Sequence, residues 1–287
     1  MRKYQFLDRR VPIEDGNIAL VQDLSKCKNC SLCRKACAVD MGVFDYYDLT
    51  TNGDVPICIH CGQCASICPF DSINERSEID EVKAAIADPN KIVVFQTAPA
   101  VRVGLGEEFG MEAGTFVEGK MVSALRKLGG DYVLDTNFGA DMTIMEEASE
   151  LIERVLHGDG TLPQFTSCCP AWVKFAETFY PEFLPNLSTA KSPIAMQAPT
   201  QKTYFAEKMG IDAKQIVAVC VTPCTAKKFE IRREEMNASA EYWNNPDMRD
   251  TDYCITTREL AKWIRAEEIS FDELEDSTFD PLMGEAS

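Results

Sequence analysis

The chain has 287 residues, with 29 Lys and Arg against 46 Asp and Glu and a formal charge of −17. That acidity, with no basic run to offset it, argues against nucleic acid as a partner, and no stretch approaches the roughly 18 apolar residues of a membrane span. A soluble, cytoplasmic protein of more than one domain is expected, in which thirteen cysteines point to metal ligation rather than cross-linking.

In chain order, Asn17–Val21 alternates and predicts a strand leading into a cysteine-rich stretch. There Cys27, Cys30, Cys33 and Cys37 recur as Cys58, Cys61, Cys64 and Cys68, two copies of Cys-x2-Cys-x2-Cys-x3-Cys. In each copy three thiolates wrap one cube while the fourth cysteine reaches across to the other. Cys27, Cys30, Cys33 and Cys68 then hold one 4Fe-4S cluster, and Cys58, Cys61, Cys64 and Cys37 the second. Pro69 follows Cys68 as the motif expects, whereas Ala38 follows Cys37. A disulfide scaffold needs an oxidising compartment, and zinc sites rarely interlock eight cysteines in this way.

Residues 78–87 have helical spacing and end at Asp88-Pro89-Asn90, a breaker that divides the chain. Beyond it come a strand at Lys91–Gln96, a helix over about Thr115–Leu128, a strand at Tyr132–Asp135 and a long helix over about Ala140–His157. These are followed by a strand at Gln164–Ser167, a helix from Ala171, another over Pro193–Met209, and a strand at Ile216–Val221. Such alternation predicts an α/β domain, a parallel sheet with flanking helices. Ligands of these sheets sit beyond the carboxyl ends of strands, which is where Cys168-Cys169 and Cys224 fall. A buried structural cysteine is the ordinary alternative for any one of them, and Cys220 and Cys254, inside apolar runs, are read as core. Glu147, Glu150 and Arg154 share one face of the long helix, a pattern that on its own most often marks a solvated surface.

The strings Thr166-Ser167-Cys168-Cys169-Pro170-Ala171-Trp172 and Thr222-Pro223-Cys224-Thr225-Ala226-Lys227-Lys228 resemble the first two signature loops of the iron-only (di-iron) hydrogenases. Ala98-Pro99-Ala100-Val101-Arg102, Asp135–Asp141 and Leu187–Pro193 resemble that family too, in the same order, as does the double ferredoxin-like module in front. The resemblance implies an enzyme that interconverts protons, electrons and dihydrogen at a 4Fe-4S cube joined through a cysteine sulfur to a di-iron unit carrying carbon monoxide, cyanide and a dithiolate. It further implies residues 1–77 as an α+β, ferredoxin-type domain with two clusters and 78–287 as the catalytic domain. Cys169 and Cys224 would ligate the active-site cube, with Cys168 as the acid-base thiol. Pro99, Ala100, Pro223 and Lys227 would contact the di-iron unit, Lys227 donating to an iron-bound cyanide, and Glu147, Glu150, Arg154 and Ser188 would form the proton route. Ferredoxin or a similar carrier, hydrogenase maturation proteins and an anaerobic setting follow from the same resemblance.

Two departures stand out. Thr222 replaces the methionine of the best-known branch, and Ile194 and Ala195 replace polar residues often found after Ser192-Pro193. Family members also carry a third loop with two further cysteines, whereas no cysteine follows Cys254 and the sequence stops at Met283–Ser287, so a C-terminally incomplete catalytic domain is expected. The alternatives are a ferredoxin-type electron-transfer or hydrogen-sensing protein without turnover, and a cluster-carrying assembly factor.

Overall fold

The structure, a computed structural model, describes residues 9–44, 49 and 53–282, and the chain end at Met283–Ser287 lies outside them. The chain forms two compact units, and neither is a single stretch of sequence. Residues 169–187 and 224–229 join residues 1–76 in the first, while 77–168, 188–223 and 230–287 make the second. Both inserted segments start at a cysteine of a signature loop.

In the first unit, β1 (Leu20–Gln22) pairs antiparallel with β2 (Ile73–Glu75), Leu20 opposite Glu75. The expected strand at Asn17–Val21 starts three residues later, because the buried Asn17 Oδ1 accepts from the N–H groups of Ala19 and Leu20 and turns the chain there. The cysteine repeat is also a backbone repeat. Asn29 and His60 take left-handed φ values of 53° and 60°, and Ser31 and Gly62 values of 68° and 76°. Each copy thereby turns an N–H onto its first cysteine, Asn29 onto Cys27 Sγ at 3.4 Å and His60 onto Cys58 Sγ at 3.3 Å. Short helices Leu32–Lys35 and Gln63–Ser66 then carry the third cysteine of each copy. A core of Val11, Ile13, Ala19, Leu20, Ala65 and Ile73 packs directly against cysteines of both copies.

The second unit is built on a four-stranded, all-parallel sheet in the order β4-β3-β5-β6. Its strands are β3 (Ile92–Thr97), β4 (Tyr132–Asp135), β5 (Ile216–Thr222) and β6 (Tyr253–Thr256). A parallel sheet needs helices on both faces, and the strands divide their side chains accordingly. Val93, Phe95, Val133, Val217, Val219, Val221 and Ile255 meet helices Glu118–Lys127 and Thr257–Ala266, while Val94, Leu134 and Ile216 pack with Phe205 on the other face. Cys220 and Cys254 are fully buried beside Ile194 and Ile231, in keeping with a core role. From β3 the chain moves first to β4 on one side and later to β5 and β6 on the other. This reversal of strand order creates a crevice at the carboxyl ends of β3 and β5, which lead into Ala98-Pro99-Ala100 and Pro223. Among the described residues no helix is long and apolar enough to cross a membrane.

One expectation fails here. Gln164–Ser167 is not a strand of the sheet; its single large apolar side chain, Phe165, gives it too little to bury, and the segment instead lies along other chain, with Ser188 N–H donating to Phe165 O at 2.7 Å and Ser167 Oγ to Ala190 O at 2.5 Å. Cys168 therefore ends an irregular segment, not a sheet strand.

Arg102 is one of the buried charges of this unit. Its guanidinium donates to Glu118 Oε2 at 2.5 Å and Asp135 Oδ1 at 2.6 Å, tying the helix Val101–Glu108 after β3 to the start of helix Glu118–Lys127 and the end of β4. Arg102→Met is expected to cost about 3 kcal/mol, since it strands two carboxylates, and to stay at the low end for a broken buried pair because both remain partly exposed. Denaturant midpoints at unchanged m-value check this.

Candidate functional site

The two cysteine blocks interlock in space. Cys27, Cys30, Cys33 and Cys68 line one cavity with Leu32, Phe70 and Ile73, and Cys37, Cys58, Cys61 and Cys64 line a second with Val11, Ile13, Val43 and Ile59. The thiols are coupled in charge within each set and, through Cys33, between the two. Burial, reinforced by the neighbouring thiols of Cys61 and Cys58, pushes the Cys37 thiol up to about 12. Burial, with Glu14 next in importance, raises Cys58 to about 11. Cys64 is raised well above its ordinary value by burial and then by Cys58, Cys61, Cys37 and Cys33, whereas Cys33 is raised by burial, with smaller contributions from Cys27 and Cys30. None of the thirteen cysteines is joined in a disulfide. Among the described residues no three His, Cys, Asp or Glu side chains close on a single ion. The thiols instead surround apolar-walled spaces, four to each, and the donor set therefore suits an iron-sulfur cube in either cavity. Ligation must displace protons that burial holds on these sulfurs.

Beside the second cavity lies a third set of thiols. Cys37, Cys61 and Cys224 pack around one small core of Val43, Ile59, Ala171 and Ala226. Cys61 is raised first by burial, and the thiol of Cys169 adds to the shift. Cys224 is likewise raised by burial and by Cys169, opposed by the N–H of Ala226 and the charge of Lys227. Cys169 is exposed at the cap of helix Pro170–Phe179, with Pro170 at its first position. Lys227 is buried, its N–H donating to Cys224 O at 3.3 Å.

A lock of hydrogen bonds holds this region together. Thr225 Oγ1 donates to His60 O at 2.6 Å, joining the residue after Cys224 to the residue before Cys61. His60 is buried with Nδ1 3.3 Å from Asn17 Oδ1 and Nε2 2.7 Å from Lys174 Nζ. Burial and then the Lys174 charge depress it to about 3, so the ring is neutral, donating from Nδ1 to Asn17 and accepting at Nε2. Sequence reading passed over His60, Lys174 and Thr225. One signal was present: His60 occupies the repeat position of Asn29, and both residue types are enriched in left-handed backbone.

In the second unit the structure joins Glu150, Arg154 and Ser188. Arg154, 6% exposed, donates from Nη2 to Glu150 Oε1 at 2.6 Å and from Nη1 to Thr161 O at 2.8 Å. Ser188 Oγ donates to Glu150 Oε2 at 2.6 Å, and Thr189 N–H reaches the same carboxylate at 3.0 Å. Burial would raise Glu150, but Ser188, Arg154 and Thr189 outweigh it and hold the carboxyl below its ordinary value. The stabilisation is therefore present above pH 4.5 and lost as pH falls through the lowered folded value. Glu150→Gln should remove this acid-sensitive component, flattening the stability profile below pH 4.5 in chemical denaturation. Glu147 is not drawn into the set: its Oε1 is buried without a hydrogen-bond partner. Pro99, Ala100 and Pro223 sit exposed past the ends of β3 and β5, and Cys168 is partly buried.

Comparison with known proteins follows this geometry. The family described as iron only hydrogenase large subunit, C-terminal domain, matches residues 91–287, and a 4Fe-4S dicluster domain matches residues 19–69. The chain is 43% identical to the NADP-reducing hydrogenase subunit HndD of Solidesulfovibrio fructosivorans over 94% of its own length and 48% of the relative's. It is 44% identical to iron hydrogenase 1 of Clostridium pasteurianum over 98% of itself and 50% of that protein. Structures of the [FeFe]-hydrogenase HydA1 of Chlamydomonas reinhardtii superpose with a TM-score of 0.67 at 40% identity, covering 72% of this chain and 52% of theirs. A weaker likeness, 30% identity over 80% of the chain and 49% of the relative, is to cytosolic iron-sulfur assembly component 3 of Bos taurus. The chain thus spans about half the length of the curated relatives it matches.

Proposed function

Because the chain belongs to the iron-only hydrogenase large-subunit family, we propose that it is a ferredoxin hydrogenase type oxidoreductase, reducing protons to dihydrogen and running the reaction in reverse. In this reading residues 1–77 receive electrons from ferredoxin or a similar carrier and residues 78–287 carry the chemistry, in a cytoplasm reducing enough to keep the cysteines out of disulfides. Cys27, Cys30, Cys33 and Cys68 hold the outer cube and Cys37, Cys58, Cys61 and Cys64 the inner one. Cys169 and Cys224 supply two thiolates to the active-site cube, and maturation proteins load the di-iron unit. When bound, these groups supply one-electron storage and the metal site at which protons and electrons combine.

The observation that carries the reading is the packing of Cys61 and Cys224 around one core with Cys169 in electrostatic reach. It supports the reading because a cysteine assigned to the inner cube lies close to cysteines assigned to the catalytic one, as an electron relay needs. The protein's own part beyond ligation is to manage protons. With Glu150 ionised, the Ser188 hydroxyl is the donor of that pair, so a proton leaving the site reaches Ser188 Oγ as Ser188 gives its own to Glu150; Glu147 stands outside this hydrogen-bonded set and would enter the route only by moving. Inward transfer reverses both steps after Glu150 takes a proton from solvent. Arg154 holds Glu150 in place and keeps its resting state charged. Cys168 exchanges the proton at the inner end, Lys227 offers a buried cation and donor beside Cys224, and Pro99, Ala100 and Pro223 wall the crevice past β3 and β5.

Hydrogen evolution from reduced ferredoxin by the matured protein tests the reading, together with infrared bands of iron-bound carbon monoxide and cyanide. About eight irons per chain and no such bands would leave only the two ferredoxin cubes filled and favour an electron-transfer protein. The likeness to an assembly component supports a second reading, a cluster carrier, which requires an additional cube without those bands.

A further inference from the structure

The inner set of thiols stands between two opposite charges whose presence ligation does not explain. On one side Lys174, carried by the helix Pro170–Phe179, brings its Nζ to 2.7 Å from His60 Nε2 and lies 4.5 Å from the centre of the Phe229 ring. His60 is buried, its ring 4.9 Å from that of Phe229, and its backbone N–H donates to Cys58 Sγ at 3.3 Å. A single imidazole therefore separates the lysine cation from the chain between Cys58 and Cys61. On the other side is Glu14. Its Oε1 accepts from Asn17 Nδ2 at 2.8 Å, and after burial its charge is the largest influence raising the Cys58 thiol. Asn17 joins the two sides, with Oδ1 3.3 Å from His60 Nδ1 and its side chain hydrogen-bonded to the Cys58 sulfur.

The first copy of the repeat is built otherwise. Asn29 takes the place of His60, stands exposed, and accepts at Oδ1 from the Arg9 N–H at 2.9 Å. The cations that line the outer cavity, Arg10 and Lys28, reach solvent, where water and salt screen them.

We propose that Lys174, acting through His60, sets the reduction potential of the inner cube, holding it above the value that Glu14 alone would impose. The inference rests on the reading above, which assigns Cys37, Cys58, Cys61 and Cys64 to that cube. A cube gains one negative charge on reduction, so a nearby cation favours the reduced form and a nearby anion opposes it. The neutral His60 ring suits the task. It accepts from Lys174 at Nε2 and donates to Asn17 from Nδ1, so the charge is felt through polarised hydrogen bonds while no proton changes owner. Lys174 is thus a positioning residue of the relay and not a ligand.

Redox potentiometry of the full chain, with its ferredoxin cubes loaded and the di-iron unit not yet installed, tests this without turnover. Electron paramagnetic resonance follows each reduced cube, and Cys58→Ser, which alters the spectrum of the cube it ligates, identifies the inner signal. Lys174→Gln keeps an N–H donor for His60 and removes the charge. It should lower the ratio of reduced to oxidised inner cube at a fixed potential roughly tenfold, a downward shift of about 59 mV for one electron, and leave the outer cube unmoved. Lys174→Arg should hold the wild-type value. Glu14→Gln keeps an acceptor for Asn17 and should move the inner cube the opposite way. Opposite shifts are the signature of charge, whereas a loosened fold moves both variants in one direction. That common shift, or an unmoved inner midpoint in Lys174→Gln, would overturn the proposal. Loading separates the two levels: if both ferredoxin signals form and the inner midpoint stays put, the cube assignment stands and the part given to Lys174 falls; if the inner signal never forms in the wild-type chain, the assignment falls and takes the inference with it.

Discussion

Cys168→Ala is expected to abolish hydrogen turnover, by roughly 10³-fold or more, while leaving iron content and the infrared bands of the loaded enzyme unchanged. The reasoning starts from neighbours with different situations. Cys169 caps the helix Pro170–Phe179 and lies within electrostatic reach of Cys61 and Cys224, whereas Cys168 ends the segment pinned by Ser167 to Ala190 O and by Phe165 to Ser188. One thiol is therefore coupled to Cys61 and Cys224, and the other ends the segment that runs beside Glu147 and Arg154. A thiol titrates near neutral pH, so it can exchange a proton on each cycle, and a methyl group cannot. A positioned acid-base group alone contributes about 10²–10⁴ in rate. Cys168→Ser should restore little, because a hydroxyl gives up its proton far less readily. The check is hydrogen evolution from reduced ferredoxin alongside iron analysis; near-normal rates in Cys168→Ala would remove Cys168 from the mechanism.

The parts of this molecule legible in its sequence are those written locally. Eight cysteines at fixed spacing announce their grouping because the turn geometry that aims three of each block repeats with them, down to left-handed backbone at Asn29 and His60 and at Ser31 and Gly62. The strands β3, β4 and β5 were readable because a parallel sheet covered on both faces needs unbroken apolar runs, and Val94 and Leu134 on one face complement Val93, Phe95 and Val133 on the other. The failure at Gln164–Ser167 has the same logic in reverse. A short run after a proline looked like a strand by its place between two helices, but Phe165 offers too little apolar surface to earn a position in the sheet. What spacing cannot reveal is which distant segments share a unit. Residues 169–187 and 224–229 leave the sheet domain's stretch of sequence to pack with the cysteine repeat, and the contacts that draw them there, Ala171 and Ala226 on Val43 and Ile59 or Thr225 on His60, join residues far apart in the chain. Lys174 was invisible for the same reason, since its meaning lies in a partner, His60, that no periodicity connects to it.

Gly62→Ala is expected to cost about 2–3 kcal/mol and to slow delivery of electrons past the inner cube, although Gly62 touches no proposed ligand through a side chain. Gly62 has φ +76°, and a Cβ there would stand 2.5 Å from Thr225 Oγ1 and 2.9 Å from its Cγ2. Left-handed backbone costs a side-chain-bearing residue about 1–2 kcal/mol. Pushing Thr225 away also weakens its hydrogen bond to His60 O, worth about 1 kcal/mol. The repeat supplies an internal control. Ser31 occupies the matching position in the first copy at φ 68° and carries a side chain, so the backbone angle by itself does not demand glycine; the close approach of Thr225 does. The two loops on either side of this contact carry Cys61 and Cys224, and an added methyl wedges them apart. Thr225→Ala removes both clashing atoms, so the Gly62→Ala/Thr225→Ala double variant should be less destabilised than the two single losses added together, with the backbone cost remaining. Denaturant unfolding of all three variants measures the coupling, and the rate at which reduced cubes are reoxidised under turnover reads its effect on the relay. Strict additivity would mean that Gly62 and Thr225 do not meet as described, and that some other contact sets the spacing of the two cysteine loops.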